Sequence, residues 1–179
     1  MSTYITYFVH GTTTDNERDI ATGWLPGELS DLGEKQSKEL GITAKTKYFD
    51  TIFSSDLKRA VDSAAMTFPG QKVTADKRLR EINYGDLNGQ PDSFKDSLTD
   101  YIDKPFPNGE SYHDVEKRIN EFLELIKKNF SGLHVAIVAH QAPQLALEVL
   151  LKGKSWTQAI AEDWRRTKSW QPGWEYEIK

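Results

Sequence analysis

The sequence predicts an α/β fold, a three-layer sandwich in which helices flank a mainly parallel central sheet. Three observations carry that prediction. The runs "YITYFVH" (4–10), "DTIFSS" (50–55) and "HVAIVAH" (134–140) are apolar without alternation, as strands buried inside a parallel sheet are. Amphipathic stretches with helix-starting residues lie between them. Strand and helix alternate along the chain, the order that layered parallel folds require. A length of 179 residues suits one domain, 1–179, with a sizeable core.

The elements follow in order. The first strand stops at His10-Gly11. "DLGEKQSKELGITAK" follows Ser30, a residue type that caps helix N-termini. The strand 50–55 runs through Ser54 and Ser55 into the helical pattern "DLKRAVDSAAMTF", and 72–75 is a weaker strand candidate. Residues 82–110 break the rhythm. They are rich in Asp, Asn, Gly and Pro, show no strong core pattern, and are expected to pass over the rim of the sheet with a short helix near 92–101. In "GESYHDVEKRINEFLELIKKNF", Ser111 is the cap and Asp114 the third helical residue of a capping box. Val115, Ile119, Phe122 and Ile126 form its apolar stripe. "APQLALEVLLKG" closes at Gly153, a C-cap glycine. The tail "WEYEI" (174–178) is a weak last strand, and Trp164, Trp170 and Trp174 are expected to close the core or a homodimer contact.

The bulk composition narrows the function classes. Hydrophobic residues make up 37% and charged residues 28%, an ordinary globular balance. A net charge of −4 does not suit a chain that neutralises nucleic-acid phosphates. No apolar run approaches the ~18 residues of a membrane span, and the N-terminal residues lack a basic region and a cleavage site. The absence of cysteine removes disulfides, thiolate metal sites and cysteine nucleophiles. The cytoplasm is the expected compartment.

Ligands of open α/β sheets bind at the carboxyl ends of the strands. His10 ends the first strand, His140 ends the strand 134–140, and Arg59 lies at the start of the helix after 50–55. Separate segments thus deliver two histidines and an arginine to one edge, where helix N-termini add N–H donors. The product is an anion pocket, best suited to a phosphoryl group. Each residue alone has a plainer reading, as a satisfied structural histidine or a surface ion-pair arginine; their convergence selects the pocket. Zinc is disfavoured, because there is no HExxH, no cysteine and no third ligand at metal spacing. His113 falls on the wet side of its helix, and His134 starts a strand at the opposite end of the sheet.

Six motifs occur in order: "HGTTTDN", "GWLPGELSDLGEKQ", "FSSDLKRAVDSA", "LREINYGDLNG", "PNGESYHDVEKRI" and "AIVAHQA". Over nearly the whole chain this succession resembles the histidine phosphatase superfamily, with its phosphoglycerate-mutase-like fold. The resemblance implies that His10 is a nucleophile forming a phosphohistidine. It implies that Arg59 and His140 hold the phosphoryl oxygens, and that Glu81 protonates the leaving oxygen and then deprotonates water. Asn16 and Thr13 would complete the pocket. No metal and no organic cofactor are implied, and the partner is a small phosphorylated metabolite. The leading expectation is hydrolysis of a phosphomonoester. The alternatives are a phosphoglycerate-mutase-type phosphotransferase and a weak or inactive homologue that binds a phosphorylated ligand or partner.

Three positions depart from the family pattern. Val9 stands where the family has an arginine that donates to phosphate, Gln141 where a glycine usually follows the second histidine, and Thr12 where a glutamate is usual. A missing charge-assisted hydrogen bond of about 1.5–3 kcal/mol corresponds to roughly ten- to a hundredfold or somewhat more in rate. Gln141, Lys58, Arg80 and Arg18 are the candidates to replace that donor. The acids of the excursion (Asp86, Asp92, Asp96, Asp100, Asp103 and Glu110, against Lys95 and Lys104) are expected to repel a second phosphate and to select a substrate with a neutral or cationic remainder.

Overall fold

The structure is a computed structural model that describes residues 2–167 and 173–179; Trp170 lies outside the described residues. Along the chain run β1 (Thr3–Val9), α1 (Thr14–Glu17), β2 (Ile20–Ala21), α2 (Asp31–Ala44), β3 (Thr51–Ser54), α3 (Lys58–Thr67), β4 (Val73–Ala75), β5 (Gln90–Pro91), α4 (Tyr112–Asn129), β6 (His134–Ala139), α5 (Gln141–Lys152), α6 (Trp156–Ala161) and β7 (Trp174–Ile178). The main sheet has the order β4-β3-β6-β1-β7. β4, β3, β6 and β1 pair in parallel, and β7 closes the edge antiparallel to β1. The fold is a three-layer α/β sandwich.

Both faces of the sheet are covered, which is why its central strands are apolar throughout. Ile5, Tyr7, Val9, Phe53, Val135 and Ile137 face one layer, where they meet Val115, Ile119, Phe122 and Ile126 of α4 and Leu145 of α5. The alternate residues Phe8, Ile52, Ala136 and Val138 face the other, against Leu40 and Ala44 of α2 and Ala64 of α3. In β7 only Tyr176 and Ile178 are buried, while Glu175 and Glu177 are exposed. That alternation suits an edge strand and explains its weak apolar signal.

Local signals start and stop the helices. The Ser111 hydroxyl accepts from Asp114 N, and the Asp114 carboxylate accepts from Ser111 N at 2.8 Å. Ser30 Oγ accepts from Gly33 N at the start of α2. α5 ends on Gly153 at φ +71, where a side chain would be strained. α3 begins two residues later than its pattern suggests, at Lys58, because Ser55 Oγ accepts from Leu57 N and holds the turn before it.

The excursion differs from expectation. Ile82, Tyr84, Leu98 and Phe106 are buried in the main core, and Tyr84, Phe94, Tyr101 and Phe106 make a chain of ring contacts. Widely spaced aromatics among polar residues leave no periodic pattern, so this core is invisible to period counting. The expected short helix is a 3-10 helix over Asp92–Tyr101, broken at Ser97. β5 pairs with β2 in a small antiparallel ribbon, tying the excursion to the loop after β1. Among the described residues no helix is long and apolar enough to cross a membrane.

Candidate active site

A cavity of about 440 Å³ opens where β1 and β6 end, walled by the excursion, the loop after β1 and the segment after α6. His10 follows the last residue of β1 and lines it. The tight turn beyond His10 needs Gly11, because a Cβ there would lie 2.3 Å from the Gly33 carbonyl oxygen. Gly11 N donates to Ser63 Oγ at 3.0 Å, fixing the turn to α3.

The hydrogen bonds set the tautomer of His10. Arg59 Nε is 3.3 Å from His10 Nε2, and a guanidinium can only donate. Nε2 is therefore the lone-pair nitrogen, and Nδ1–H donates to the Gly11 carbonyl at 2.7 Å. Burial, followed by the Arg59 charge, pulls the His10 pKa down from 6.5 to about 3. The ring is neutral at pH 7, with its lone-pair nitrogen turned toward the guanidinium.

Arg59 is 2% exposed. Its Nη1 donates to the carbonyls of Leu25 (2.8 Å) and Pro26 (3.4 Å), and its Nη2 to Gly23 (2.7 Å). These carbonyls come from the "GWLPG" loop, which therefore orients Arg59. Glu81 also lines the cavity. Its Oε1 accepts from Ile82 N and Ala142 N, both at 2.9 Å, and its Oε2 from Gln141 N at 3.2 Å. The carboxylate thus sits on the N-terminus of α5, with Oε2 the less committed oxygen. Its backbone carbonyl is held by Trp24 Nε1 at 2.7 Å and Arg118 Nη2 at 3.1 Å. Arg118 also holds the Arg80 carbonyl at 2.7 Å and pairs with Glu110.

The other expected site residues fall in different shells. His140 is fully buried behind His10, ring centroid to ring centroid 5.0 Å, and neither of its ring nitrogens has a hydrogen-bond partner among the described residues. Burial, Arg59 and His10 hold its pKa well below the usual value. The Tyr7 hydroxyl pins its backbone, donating to His140 O at 2.7 Å and accepting from His140 N at 2.9 Å. Asn16 lines the cavity. Thr13 does not face it: fully buried, its hydroxyl caps α1 by accepting from Asn16 N, while Asn16 Oδ1 accepts from Thr13 N. Gln141 lines the cavity, but its side-chain amide donates to Asp163.

Val9 is 6% exposed, packs in the core and borders the cavity. The basic residues expected to stand in for a donor there are engaged elsewhere. Lys58 pairs with Glu28 and Asp62, Arg80 with Asp56, and Arg18 with Asp15. The cations that border the cavity are Arg59, Lys95 and Arg165. Arg165 belongs to the tail, whose aromatics draw attention from its charges, and Lys95 lies in a stretch dominated by acids. Neither carries a spacing signal. The acidic rim is also corrected. From residues 82–110 it is Tyr84 and Lys95 that line the cavity. Asp92 pairs with Lys95, Asp103 with His113 and Glu110 with Arg118, while Asp86 accepts from Asn108. Of the tail tryptophans, Trp164 borders the cavity and packs on Trp174, and both join the main core. Among the described residues no group of three or more acids and histidines is placed to hold a metal ion.

This fold, with a neutral strand-end histidine over a buried arginine, is that of a phosphoryl-handling α/β enzyme class. The profile of the histidine phosphatase superfamily (branch 1) matches residues 7–170, and the chain belongs to that superfamily. It is 29% identical over 170 residues to a 2,3-bisphosphoglycerate-dependent phosphoglycerate mutase of Methylorubrum populi, covering 85% of this chain and 80% of the relative. It is 29% identical over 142 residues to phosphoserine phosphatase 1 of Hydrogenobacter thermophilus, covering 73% and 67%. Among solved structures it is similar to a mycobacterial glucosyl-3-phosphoglycerate phosphatase, with TM-score 0.77, 26% identity and coverage of 90% of this chain and 84% of that one.

Proposed function

We propose that the chain is a metal-independent phosphatase that hydrolyses a small phosphomonoester through a phosphohistidine on His10. The observation that carries this reading is the His10 tautomer: a neutral ring, Nδ1–H spent on Gly11, and the Nε2 lone pair at the cavity beside a buried guanidinium. Nε2 gives up its bond from Arg59 and attacks phosphorus as the bond to the leaving oxygen breaks, and Glu81, entering the step protonated, gives that oxygen its proton. Water then attacks phosphorus as the phosphorus–nitrogen bond breaks, giving its proton to Glu81, and the electron pair returns to Nε2 so that His10 is released neutral. Arg59, with the His140 ring packed against His10, stabilises the charge that spreads over the phosphoryl oxygens. Asn16 and Gln141 contribute neutral groups to the same pocket, and Thr13 positions Asn16.

The charged residues that line the cavity are Arg59, Lys95 and Arg165 with Asp19 and Glu81, three cations to two acids. The wall therefore suits an anionic phosphomonoester, and a substrate with a neutral or cationic remainder loses its basis. A mutase reading is favoured by the phosphoglycerate mutase relative and shares the first half-reaction.

The test is turnover of 4-nitrophenyl phosphate and phosphoserine with and without chelator, in native protein, His10→Ala and Val9→Arg. Chelator-resistant release of phosphate that disappears in His10→Ala is expected. Turnover only in Val9→Arg would make the native chain an inactive binder. Isomerisation of 3-phosphoglycerate in the presence of 2,3-bisphosphoglycerate, without phosphate release, would make it a mutase.

A further inference from the structure

Arg59 has little left to offer a phosphoryl group. Of the five N–H donors of a guanidinium, its Nη1 serves Leu25 and Pro26, its Nη2 serves Gly23, and its Nε serves His10. A second guanidinium, Arg165, borders the same cavity. It is held in place from several sides. Its Nη1 donates to Asp163 Oδ1 at 2.7 Å, and the other oxygen of that buried acid takes the Gln141 amide. Its Cζ lies 4.7 Å from the Trp164 ring centroid and 5.9 Å from that of Trp174. Trp174 in turn meets the ring of Tyr7, two residues before Val9.

The anchoring leaves Arg165 Nη2 buried with no hydrogen-bond partner among the described residues. A buried, charge-bearing donor left unpaired is destabilising. An anion in the adjoining cavity, which Val9 also borders, would supply the missing acceptor. Its charge already reaches His10 and His140.

We propose that Arg165 is a phosphoryl-binding residue of this site, positioned by Asp163 and Gln141, and that it completes with Arg59 the pair of guanidinium groups that grip the transferred phosphoryl group. This rests on the phosphatase reading above. Asp163 is a positioning residue in it: it fixes Arg165 and does not line the cavity, while Gln141 holds the other oxygen of Asp163.

The test compares native protein with Arg165→Ala, Arg165→Lys and the double variant Val9→Arg/Arg165→Ala. Orthovanadate, a mimic of the phosphoryl group in flight, is the binding probe, and 4-nitrophenyl phosphate is the substrate. Arg165→Ala is expected to lower kcat/KM by about ten- to a hundredfold and to weaken orthovanadate binding by about tenfold or more. Arg165→Lys should keep part of both, and the double variant should regain activity over Arg165→Ala. Orthovanadate affinity within twofold of native in Arg165→Ala, measured by calorimetry, overturns the proposal. So does a loss of substrate affinity with orthovanadate affinity intact, which would move Arg165 to the remainder of the substrate. Calorimetry keeps the two readings apart. If no variant shows turnover that depends on His10, the phosphatase reading fails, while orthovanadate binding still decides the role of Arg165.

Discussion

Removing a single oxygen from the core beneath the site should weaken both fold and catalysis. The Tyr7 hydroxyl is buried in β1 and bridges to the end of β6, donating to His140 O at 2.7 Å and accepting from His140 N at 2.9 Å. Tyr7→Phe keeps the ring, leaves the buried His140 N–H unpaired, and leaves the His140 carbonyl with only the long bond from Gln144 N at 3.4 Å. The unpaired N–H costs about 1–3 kcal/mol and the lost bond to the carbonyl about 0.5–1.5 kcal/mol, so the substitution should destabilise by about 2–4 kcal/mol. For a chain of this size that corresponds to a fall in Tm of roughly 4–16 °C. The same junction presents Gln141 N and Ala142 N to Glu81. Loosening it should lower kcat/KM by about tenfold, since one misaligned group at a reacting centre costs at least that much. Urea and thermal unfolding give the first number and steady-state kinetics the second. A Tm within 2 °C of native, together with unchanged kcat/KM, would refute the idea that this bridge supports the site.

Four further outcomes follow from the geometry. With its pKa held down to about 3, His10 stays neutral as pH falls from 7 to 5, so kcat/KM should show no loss over that range beyond the one caused by substrate protonation; a limb near 6.5 that belongs to the free enzyme would contradict the burial argument. The unfolded chain protonates its histidines near 6.5 while native His10 does not, so stability should fall as pH drops below that value, by about 1.4 kcal/mol per pH unit for this residue until near pH 3, and unfolding curves at pH 7, 6 and 5 measure it. Glu81→Gln should cut turnover of an alkyl phosphate by about a hundredfold or more and of 4-nitrophenyl phosphate much less, because only the poor leaving group needs the proton, and equal losses on both would argue for a binding role. Gly11→Ala would push a Cβ to 2.3 Å from the Gly33 carbonyl oxygen; both neighbours are backbone, so a loss of about 2 kcal/mol or more is expected in urea unfolding.

Much of the fold is readable in the sequence because its signals are local. The apolar runs of β1, β3 and β6 and the capping box of α4 each sit within one short segment. The strand-end rule alone brings His10, His140 and Arg59 to one edge, and Glu81 is readable only through the motifs in order. What escapes the sequence is long-range. Arg118 braces the carbonyl of Glu81 across 37 residues of chain, and nothing around Arg118 announces it. The Tyr84–Phe94–Phe106 cluster has no period. The replacement of Lys58, Arg80 and Arg18 by Lys95 and Arg165 on the cavity wall depends on which cation finds an acid nearby, a matter of tertiary placement. Asp56, Asp62 and Asp15 capture the first group, whereas Asp163 holds Arg165 at the cavity's edge.

The central claim, that His10 carries the phosphoryl group, is tested most directly by trapping the intermediate. Native protein mixed with 4-nitrophenyl phosphate and quenched within milliseconds should carry a phosphoryl group that is stable in alkali, labile in acid and located on the peptide containing His10. It should be absent from His10→Ala and should accumulate when release of the phosphoryl group to water is slowed in Glu81→Gln. A native enzyme that turns over without any label on His10, or with an acid-stable label elsewhere, would contradict the account.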